Sequence, residues 1–189
     1  DVNDERNRLY LAMVETAKRL KPRAVVLENV PGLLQLNEGK AAKRIIEDFS
    51  EIGYNIHCKI LYAPEYGIPQ IRKRVFFVGL LNSDEIFEFP EGFVEKENFI
   101  TTEDAISDLP GLEGIYGEEI QEYETKARTP YQKLMRKNSK NIRNHIGTIH
   151  SEKTIKMISM VPEGKNYKAL PEKYRSMYKY NEALTRYHS

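Results

Sequence analysis

The chain is poor in three features that would assign it to a class at once. It has a single cysteine in 189 residues, which excludes an internal disulfide and favours a reducing cytoplasm as its compartment. No apolar run approaches the roughly 20 residues that span a bilayer, so we predict no membrane segment. The first residues lack the charge pattern and apolar core of a secretory signal, and they lack Met, so we expect a shortened or processed product.

The sequence also lacks the residue spacing that is typical of a metal site. The four histidines stand in no ligand-like arrangement with the cysteine or with acidic residues, so we predict no metal site. The sequence has no internal repeats or low-complexity segments, and its composition, 40% hydrophobic and 30% charged, is typical of a globular protein.

Charge is segregated along the chain although the net charge is only +1. One stretch carries seven basic residues and no acidic one: Lys126, Arg128, Lys133, Arg136, Lys137, Lys140 and Arg143. Possible hydrogen-bonding groups are interleaved with them: Tyr131, Gln132, Asn138, Asn141 and Asn144. Such a stretch is typical either of a solvated face or of a surface that follows a phosphate backbone.

The first third alternates helix and strand patterns. A helix capped by Asn3 or Asp4 is predicted to end at Lys21-Pro22, and the apolar run Ala24–Leu27 reads as a strand buried on both faces, as in parallel sheets. A second helix has its apolar stripe between Ala42 and Ile52. This order predicts an α/β fold.

Two further strands follow the second helix. Gly53 stands where a left-handed helix cap belongs, and the segments Tyr54–Tyr62 and Val75–Leu81 are predicted to pair as an antiparallel hairpin. Beyond residue 81 the periodicity weakens, and only short helices are predicted, near Thr102–Leu109, Pro130–Arg136 and Ser151–Met160.

A carboxylate and an amide mark the end of the first strand. Glu28 and Asn29 stand where the strand gives way to a turn, and ligands bind beyond the carboxyl ends of strands in open α/β sheets. The alternative is that these side chains only satisfy turn backbone.

A second polar cluster precedes the last strand. Gln70, Arg72 and Arg74 alternate, so in extended chain they share a face that could clamp an anion or read a base edge. The alternative is a charged edge strand protected from aggregation.

Taken together, the two clusters resemble the layout of the DNA cytosine-5 methyltransferases. Glu28-Asn29-Val30 is followed by Gly67-Ile68-Pro69-Gln70-x-Arg72-x-Arg74 and an apolar strand. The resemblance is dense over residues 4 to 80 and patchy afterwards, with Asp104–Pro110 and Val161–Asn166 as further matching stretches. It implies that residues 1–80 are the second half of a Rossmann-like, S-adenosylmethionine-dependent methyltransferase domain, and that residues 81–189 form a smaller, loop-rich target-recognition lobe.

The resemblance also implies the chemistry. A cysteine thiolate attacks carbon 6 of a cytosine flipped out of duplex DNA, and carbon 5 then accepts a methyl group. Glu28 would protonate or hydrogen-bond ring nitrogen 3, and Arg74 would hold the ring carbonyl oxygen. Arg72 would brace the catalytic loop or a phosphate, while Asn29 and Gln70 orient the others.

Parts of that machinery have no match in this sequence. The family's nucleophile follows a proline, and no Pro-Cys occurs here; the one cysteine, Cys58, is predicted to be a buried strand residue. The glycine-rich cofactor loop is missing too, so we expect this chain alone to be inactive.

The family resemblance leaves the substrate and partners open. We expect a restriction-modification enzyme acting on double-stranded DNA beside a cognate restriction enzyme. The alternatives are a transfer-RNA methyltransferase of the same family and a non-catalytic DNA-binding protein.

Overall fold

The computed structural model describes residues 9–112, 116–162 and 164–175. The chain divides into two compact units. The first contains the described residues up to Asp108 together with Lys126–Lys137, and the second contains Leu109–Thr125 and the described residues from Asn138 onward. Residues 81–108 thus pack with the first unit rather than beginning a second one at residue 81. The assignment of catalysis and recognition to separate regions stays a prediction.

A three-stranded sheet and two helices form the centre of the first unit. The elements are α1 (Tyr10–Leu20), β1 (Ala24–Asn29), α2 (Lys40–Ser50), β2 (Tyr54–Tyr62) and β3 (Lys73–Leu81). The strand order is β1-β3-β2, and both pairings are antiparallel. The predicted helices and strands are therefore confirmed, as is the antiparallel hairpin of the last two strands. The predicted cap at Asn3 or Asp4 lies outside the described residues.

Both helices contribute to the core on one face of the sheet. Phe49 of α2 and Phe77 of β3 are fully buried, and Ala17 of α1 joins the same cluster. Tyr54 packs edge-on against Phe49 with ring centroids 6.0 Å apart, and its hydroxyl donates to the Pro22 carbonyl at 2.7 Å. The Tyr54 ring is thereby buried with its polar end satisfied.

β1 differs from its prediction. Val25 is 4% exposed but its neighbour Val26 is 57% exposed, so the strand is buried on one face and not on both. Its partner β3 runs antiparallel to it, whereas the sequence suggested a parallel sheet. The physical reason is that a run of four apolar residues does not reveal which of them face the core or which way the partner strand runs.

Two short helices complete the first unit, α3 (Thr102–Ile106) and α4 (Pro130–Arg136), each with a capping box. Gln132 is 1% exposed; its side-chain oxygen accepts from the backbone of Arg128 and Thr129, and its amide donates to Ser107 Oγ at 3.0 Å. Gln132 therefore stabilises this helix pair and is not one of the surface hydrogen-bonding groups that the sequence suggested.

The second unit is built on a short hairpin. β4 (Ile120–Gln121) pairs antiparallel with β5 (Ile142–Arg143), and the helices α5 (Glu152–Ser159) and α6 (Glu172–Arg175) follow. Across the described ranges of both units, no helix has the length and apolar character to cross a membrane. The same ranges contain no group of three or more His, Cys, Asp or Glu side chains placed to hold a metal ion.

Candidate active site

Strand register brings Glu28 and Arg74 together. Glu28 stands opposite Phe76 of β3, and Arg74 precedes Phe76 by two residues, so both charged side chains lie on the face opposite Val25 and Phe77. Glu28 Oε1 lies 2.6 Å from Arg74 Nε. A charge-assisted contact of this length joins the end of β1 to the beginning of β3.

Arg74 is held from a second direction as well. Its Nη1 donates to the carbonyl of Lys73 at 2.7 Å. Lys73 itself contacts β2, because its ammonium lies 5.2 Å from the centre of the Tyr62 ring. The Arg74 side chain is only 21% exposed, whereas the Glu28 side chain is 46% exposed. The guanidinium is therefore fixed in place, and the carboxylate beside it remains accessible to a substrate.

The other predicted site residues stand apart from this pair. Asn29 Oδ1 accepts a hydrogen bond from Val30 N at 2.8 Å, which is the turn-satisfying role that the sequence left as an alternative. Gln70 and Arg72 are exposed, and neither side chain has a hydrogen bond or ion pair with any described residue. Their predicted roles stay predictions.

Cys58 is exposed, so its prediction as a buried core residue was wrong. It lies on the edge strand β2 opposite Phe77, whereas Lys59 lies opposite Phe76. Cys58 therefore points to the face of the sheet away from Glu28. The sheet itself separates this thiol from the Glu28–Arg74 pair, which is a stronger reason than burial to exclude it as the nucleophile at that site.

The basic stretch is divided between the two units. Lys126, Arg128, Lys133, Arg136 and Lys137 belong to the first unit, whereas Lys140 and Arg143 belong to the second. Six of the seven are exposed and form no ion pair within the described parts of the chain.

Arg136 is the exception in the basic stretch. Its Nη2 lies 2.5 Å from Asp108 Oδ2 and also donates to the Asp108 carbonyl, and both side chains are largely buried. A guanidinium held this way joins α4 to the end of the α3 segment. We therefore remove Arg136 from the predicted set of DNA-contacting residues.

A buried polar group joining α1 to α2 had no counterpart among the sequence predictions. Asp48 is 6% exposed; it accepts from the Tyr10 hydroxyl at 2.6 Å and lies 2.9 Å from Arg44 Nε. Burial, reinforced by the hydrogen bond to Asp48, raises the pKa of Tyr10 to about 12. The four-residue spacing of Arg44 and Asp48 was visible in the sequence, but nothing there indicated Tyr10 as a partner.

Comparison with known proteins identifies the family. The family model described as C-5 cytosine-specific DNA methylase matches residues 1–188. The chain belongs to this family. The resemblance inferred from the two polar clusters is thereby confirmed.

Curated relatives are Type II methyltransferases. The chain is 36% identical over 181 residues to M.DdeI of Desulfomicrobium norvegicum, covering 92% of this chain and 43% of that protein. It is 32% identical over 187 residues to M1.HphI of Haemophilus parahaemolyticus, covering 99% of this chain and 44% of that protein. The chain thus spans less than half the length of either relative.

A solved structure shares the fold. It is described as a prophage-encoded DNA modification methyltransferase of E. coli, with a TM-score of 0.59, 23% identity, and coverage of 87% of this chain and 53% of that one. The mixed helix-and-sheet architecture agrees with the predicted α/β class. The Rossmann-like half and the recognition lobe stay predictions.

Proposed function

We propose that the protein containing this chain is a DNA cytosine-5 methyltransferase of a restriction-modification system, and that Glu28 and Arg74 bind the edge of the target cytosine. The observation that carries the proposal is the Glu28–Arg74 pair, 2.6 Å apart at the ends of adjacent strands, in a chain of this family. The relatives' designation as Type II methyltransferases supports DNA rather than transfer RNA as the substrate.

The edge of cytosine is complementary to this pair. It presents an amine donor, a ring nitrogen that accepts, and a carbonyl oxygen that accepts. Glu28 in its acid form donates to the ring nitrogen, and its other oxygen accepts from the amine. Arg74 has unused N–H donors for the carbonyl oxygen. Thymine has a carbonyl where cytosine has the amine, so Glu28 would also exclude thymine.

The same contacts stabilise the reacting ring. Attack at carbon 6 pushes charge onto the ring, and a proton or strong hydrogen bond at ring nitrogen 3 stabilises that charge. In this proposal Glu28 holds the proton, and Arg74 orients both the ring and the carboxyl group. Reaching them requires a base rotated out of the duplex, because neither group can contact that edge within a base pair.

The cofactor and the nucleophile belong to the family's chemistry and not to the residues described here. S-adenosylmethionine, which supplies a methyl group, is the donor that family membership implies. The glycine-rich loop that binds it has no match in this sequence, so none of these residues is assigned to it. We also propose that the protein works in a reducing cytoplasm and that a cognate restriction enzyme acts on the same DNA site.

Glu28→Gln in the intact protein tests the central role. The amide keeps the shape but delivers no proton, so we expect methyl transfer to fall by about 10²–10⁴-fold while DNA affinity changes little. The measurements are incorporation of labelled methyl and duplex binding. Glu15→Gln is the matched control, because Glu15 is exposed on α1. Turnover within twofold of the wild type would make Glu28 a turn residue.

Arg74→Ala tests the second half of the pair. We expect lower turnover, because the ring carbonyl and the Glu28 carboxylate both lose a donor, at a cost of about 1–3 kcal/mol for an unsatisfied group. Arg19→Ala, at an exposed arginine of α1, is the matched control and should leave turnover unchanged. Full activity of the Arg74→Ala variant would limit Arg74 to a structural ion pair between β1 and the central strand β3.

A further inference from the structure

The first unit contains a cavity of about 490 Å³, lined by α1, α2 and the segment that joins β1 to α2. Its inner part is apolar: Ile45 is 5% exposed, and Tyr10, Leu33 and Leu36 are partly buried. Small-molecule sites in proteins have volumes in this range and a similar predominance of apolar lining. The cavity therefore has the size and inner surface of a ligand site.

The mouth of this cavity is cationic. Among the described residues, its lining includes three exposed cations, Lys40, Lys43 and Arg44, and a single carboxylate, that of Glu47. Lys43 Nζ lies 3.8 Å from Glu47 Oε1, and Lys40 Nζ lies 3.6 Å from Glu38 Oε2. Exposed ion pairs of this kind contribute little to stability, so a bound anion can recruit either lysine at small cost.

One wall of the cavity is fixed by a buried carboxylate. Asp48 accepts from the Tyr10 hydroxyl at 2.6 Å and lies 2.9 Å from Arg44 Nε. These two contacts hold the Tyr10 ring at the apolar part and the Arg44 guanidinium at the mouth. The two chemistries are thus set at a defined separation before any ligand binds.

The opposite edge of the cavity carries a costly backbone conformation. Asn37, Glu38 and Gly39 follow one another with φ of 53°, 57° and 82°. Positive φ is uncommon in residues other than glycine, and such residues cluster at ligand-binding and switch segments. Asn37 lines the cavity, and its carbonyl accepts from Lys40 N at 3.0 Å, which holds the turn in place.

The cavity lies on the other side of the sheet from the Glu28–Arg74 pair. Ile45 belongs to the core cluster of Val25 and Phe77, and Glu28 projects from the opposite face of β1. A molecule in the cavity is therefore not the base that Glu28 and Arg74 are proposed to hold.

We propose that this cavity binds a small organic anion, made of an aromatic ring that carries a carboxylate or phosphate group. The ring packs against Tyr10, Leu36 and Ile45, and the anionic group lies at the mouth, where Lys43 and Arg44 donate charge-assisted hydrogen bonds to it. An apolar molecule would use only the inner part, and an inorganic anion only the mouth. This site goes beyond the proposed methyl transfer and does not depend on it.

Three probes separate these possibilities in the intact protein labelled with ¹³C at tyrosine. Phenyl phosphate has both the ring and the anion, inorganic phosphate has only the anion, and benzyl alcohol has only the ring. The resonance to follow is the one that Tyr10→Phe removes. We expect phenyl phosphate to shift it saturably, and each partial probe to bind at least about tenfold more weakly, since each loses one set of contacts.

Two substitutions test the two parts of the cavity. Ala41 lines the cavity one turn before Ile45, so Ala41→Met should fill the inner part and abolish the shift caused by phenyl phosphate. Lys43→Ala should weaken phenyl phosphate binding by about two- to fivefold, the range of an exposed ion pair. Ala12→Met and Lys18→Ala, at exposed positions of α1, are the matched controls and should leave binding unchanged.

Three outcomes would overturn the proposal. The first is the absence of a saturable shift of the Tyr10 resonance with phenyl phosphate. The second is equal affinity for inorganic phosphate, which would reduce the site to a cationic patch. The third is an undiminished shift in Ala41→Met, which would place the ring outside the cavity.

Discussion

The hydroxyl of Tyr10 is kept protonated by its place between α1 and α2. Burial and the hydrogen bond to Asp48 raise its pKa from 10.0 to about 12. Because the folded pKa is raised, the contribution of this group to stability is complete below pH 10 and is lost as pH rises from 10 to about 12. In protein labelled with ¹³C at tyrosine, the resonance that disappears in Tyr10→Phe should titrate near pH 12.

Asp48→Asn separates the two causes of that shift. The amide still accepts a hydrogen bond but carries no charge, so the pKa of Tyr10 should fall only part of the way toward 10.0, because burial is the larger cause. Tyr10 titrating at its ordinary value in the wild type would contradict the packing of α1 on α2.

The family resemblance of their two motifs suggested that Glu28 and Arg74 act together, and the structure has the two side chains 2.6 Å apart, while their roles stay predictions. Prediction failed where a partner is distant and unmarked: charge counting could not show that Arg136 is held by Asp108, 28 residues away. The exposure of Cys58 was not predicted for a similar reason. The alternation of apolar and polar residues shows on which face of a strand a side chain lies, but not whether another element covers that face.

At the level of elements, Gly79 sets how closely the three strands approach. It stands opposite Val25 on β1 and Ile56 on β2. A Cβ atom at Gly79 would lie 2.8 Å from Val25 Cγ2 and closer still to Ile56 Cδ1. We expect Gly79→Ala to lower the free energy of unfolding by about 1–3 kcal/mol, the usual cost of overpacking a core, as measured by denaturant unfolding.

Gly32→Ala is the matched control for that substitution. A Cβ at Gly32 has no atom within 4 Å, so the same added methyl group should be tolerated. If both variants unfold alike, the sheet must relax around position 79 without cost.

The predicted elements were those with a strong local signal. The apolar spacing of α2 and the glycine at its end were decisive, and Gly53 has a φ of 92°, as a left-handed cap requires. The direction of β1 relative to β3 was not recoverable, because strand pairing is decided by the whole sheet. The β4–β5 hairpin was missed because two-residue strands leave no periodicity.

For the whole molecule, the exposed cations of the first unit should set the salt dependence of DNA binding. Changing Lys133 and Lys137 together to alanine in the intact protein should weaken binding to all duplexes alike. It should also flatten the slope of log affinity against log salt by about 0.9 for each phosphate that the variant no longer neutralises. The affinity of target and random duplexes at several salt concentrations measures both.

Arg136 is left out of this double variant because its guanidinium is the partner of a buried carboxylate. Arg136→Ala would leave the Asp108 carboxylate without that cation and could destabilise the fold. A loss of DNA affinity in that variant would then not report on DNA contacts. Lys18→Ala, on α1, controls for a change of net charge alone. An unchanged slope in the double variant would mean that Lys133 and Lys137 face solvent in the complex.

The 189-residue chain by itself should transfer no methyl group. The sequence holds no Pro-Cys, and its one thiol lies on the face of the sheet opposite Glu28. Labelled methyl from S-adenosylmethionine should therefore not enter DNA above the blank. Incorporation that Cys58→Ser abolishes would place the chemistry on the other face of the sheet.

The ladder between β1 and β3 has a consequence for changes in chain length. Glu28 lies beside Arg74 because of the register of β1 against β3, which does not depend on the lengths of the loops between the elements. Deleting one residue within β1 would turn the carboxylate toward Phe77 and bury it, since neighbouring side chains alternate. Residues inserted between α2 and β2 would leave the ladder intact. Length variation is thus tolerated in the connections and excluded from the two strands.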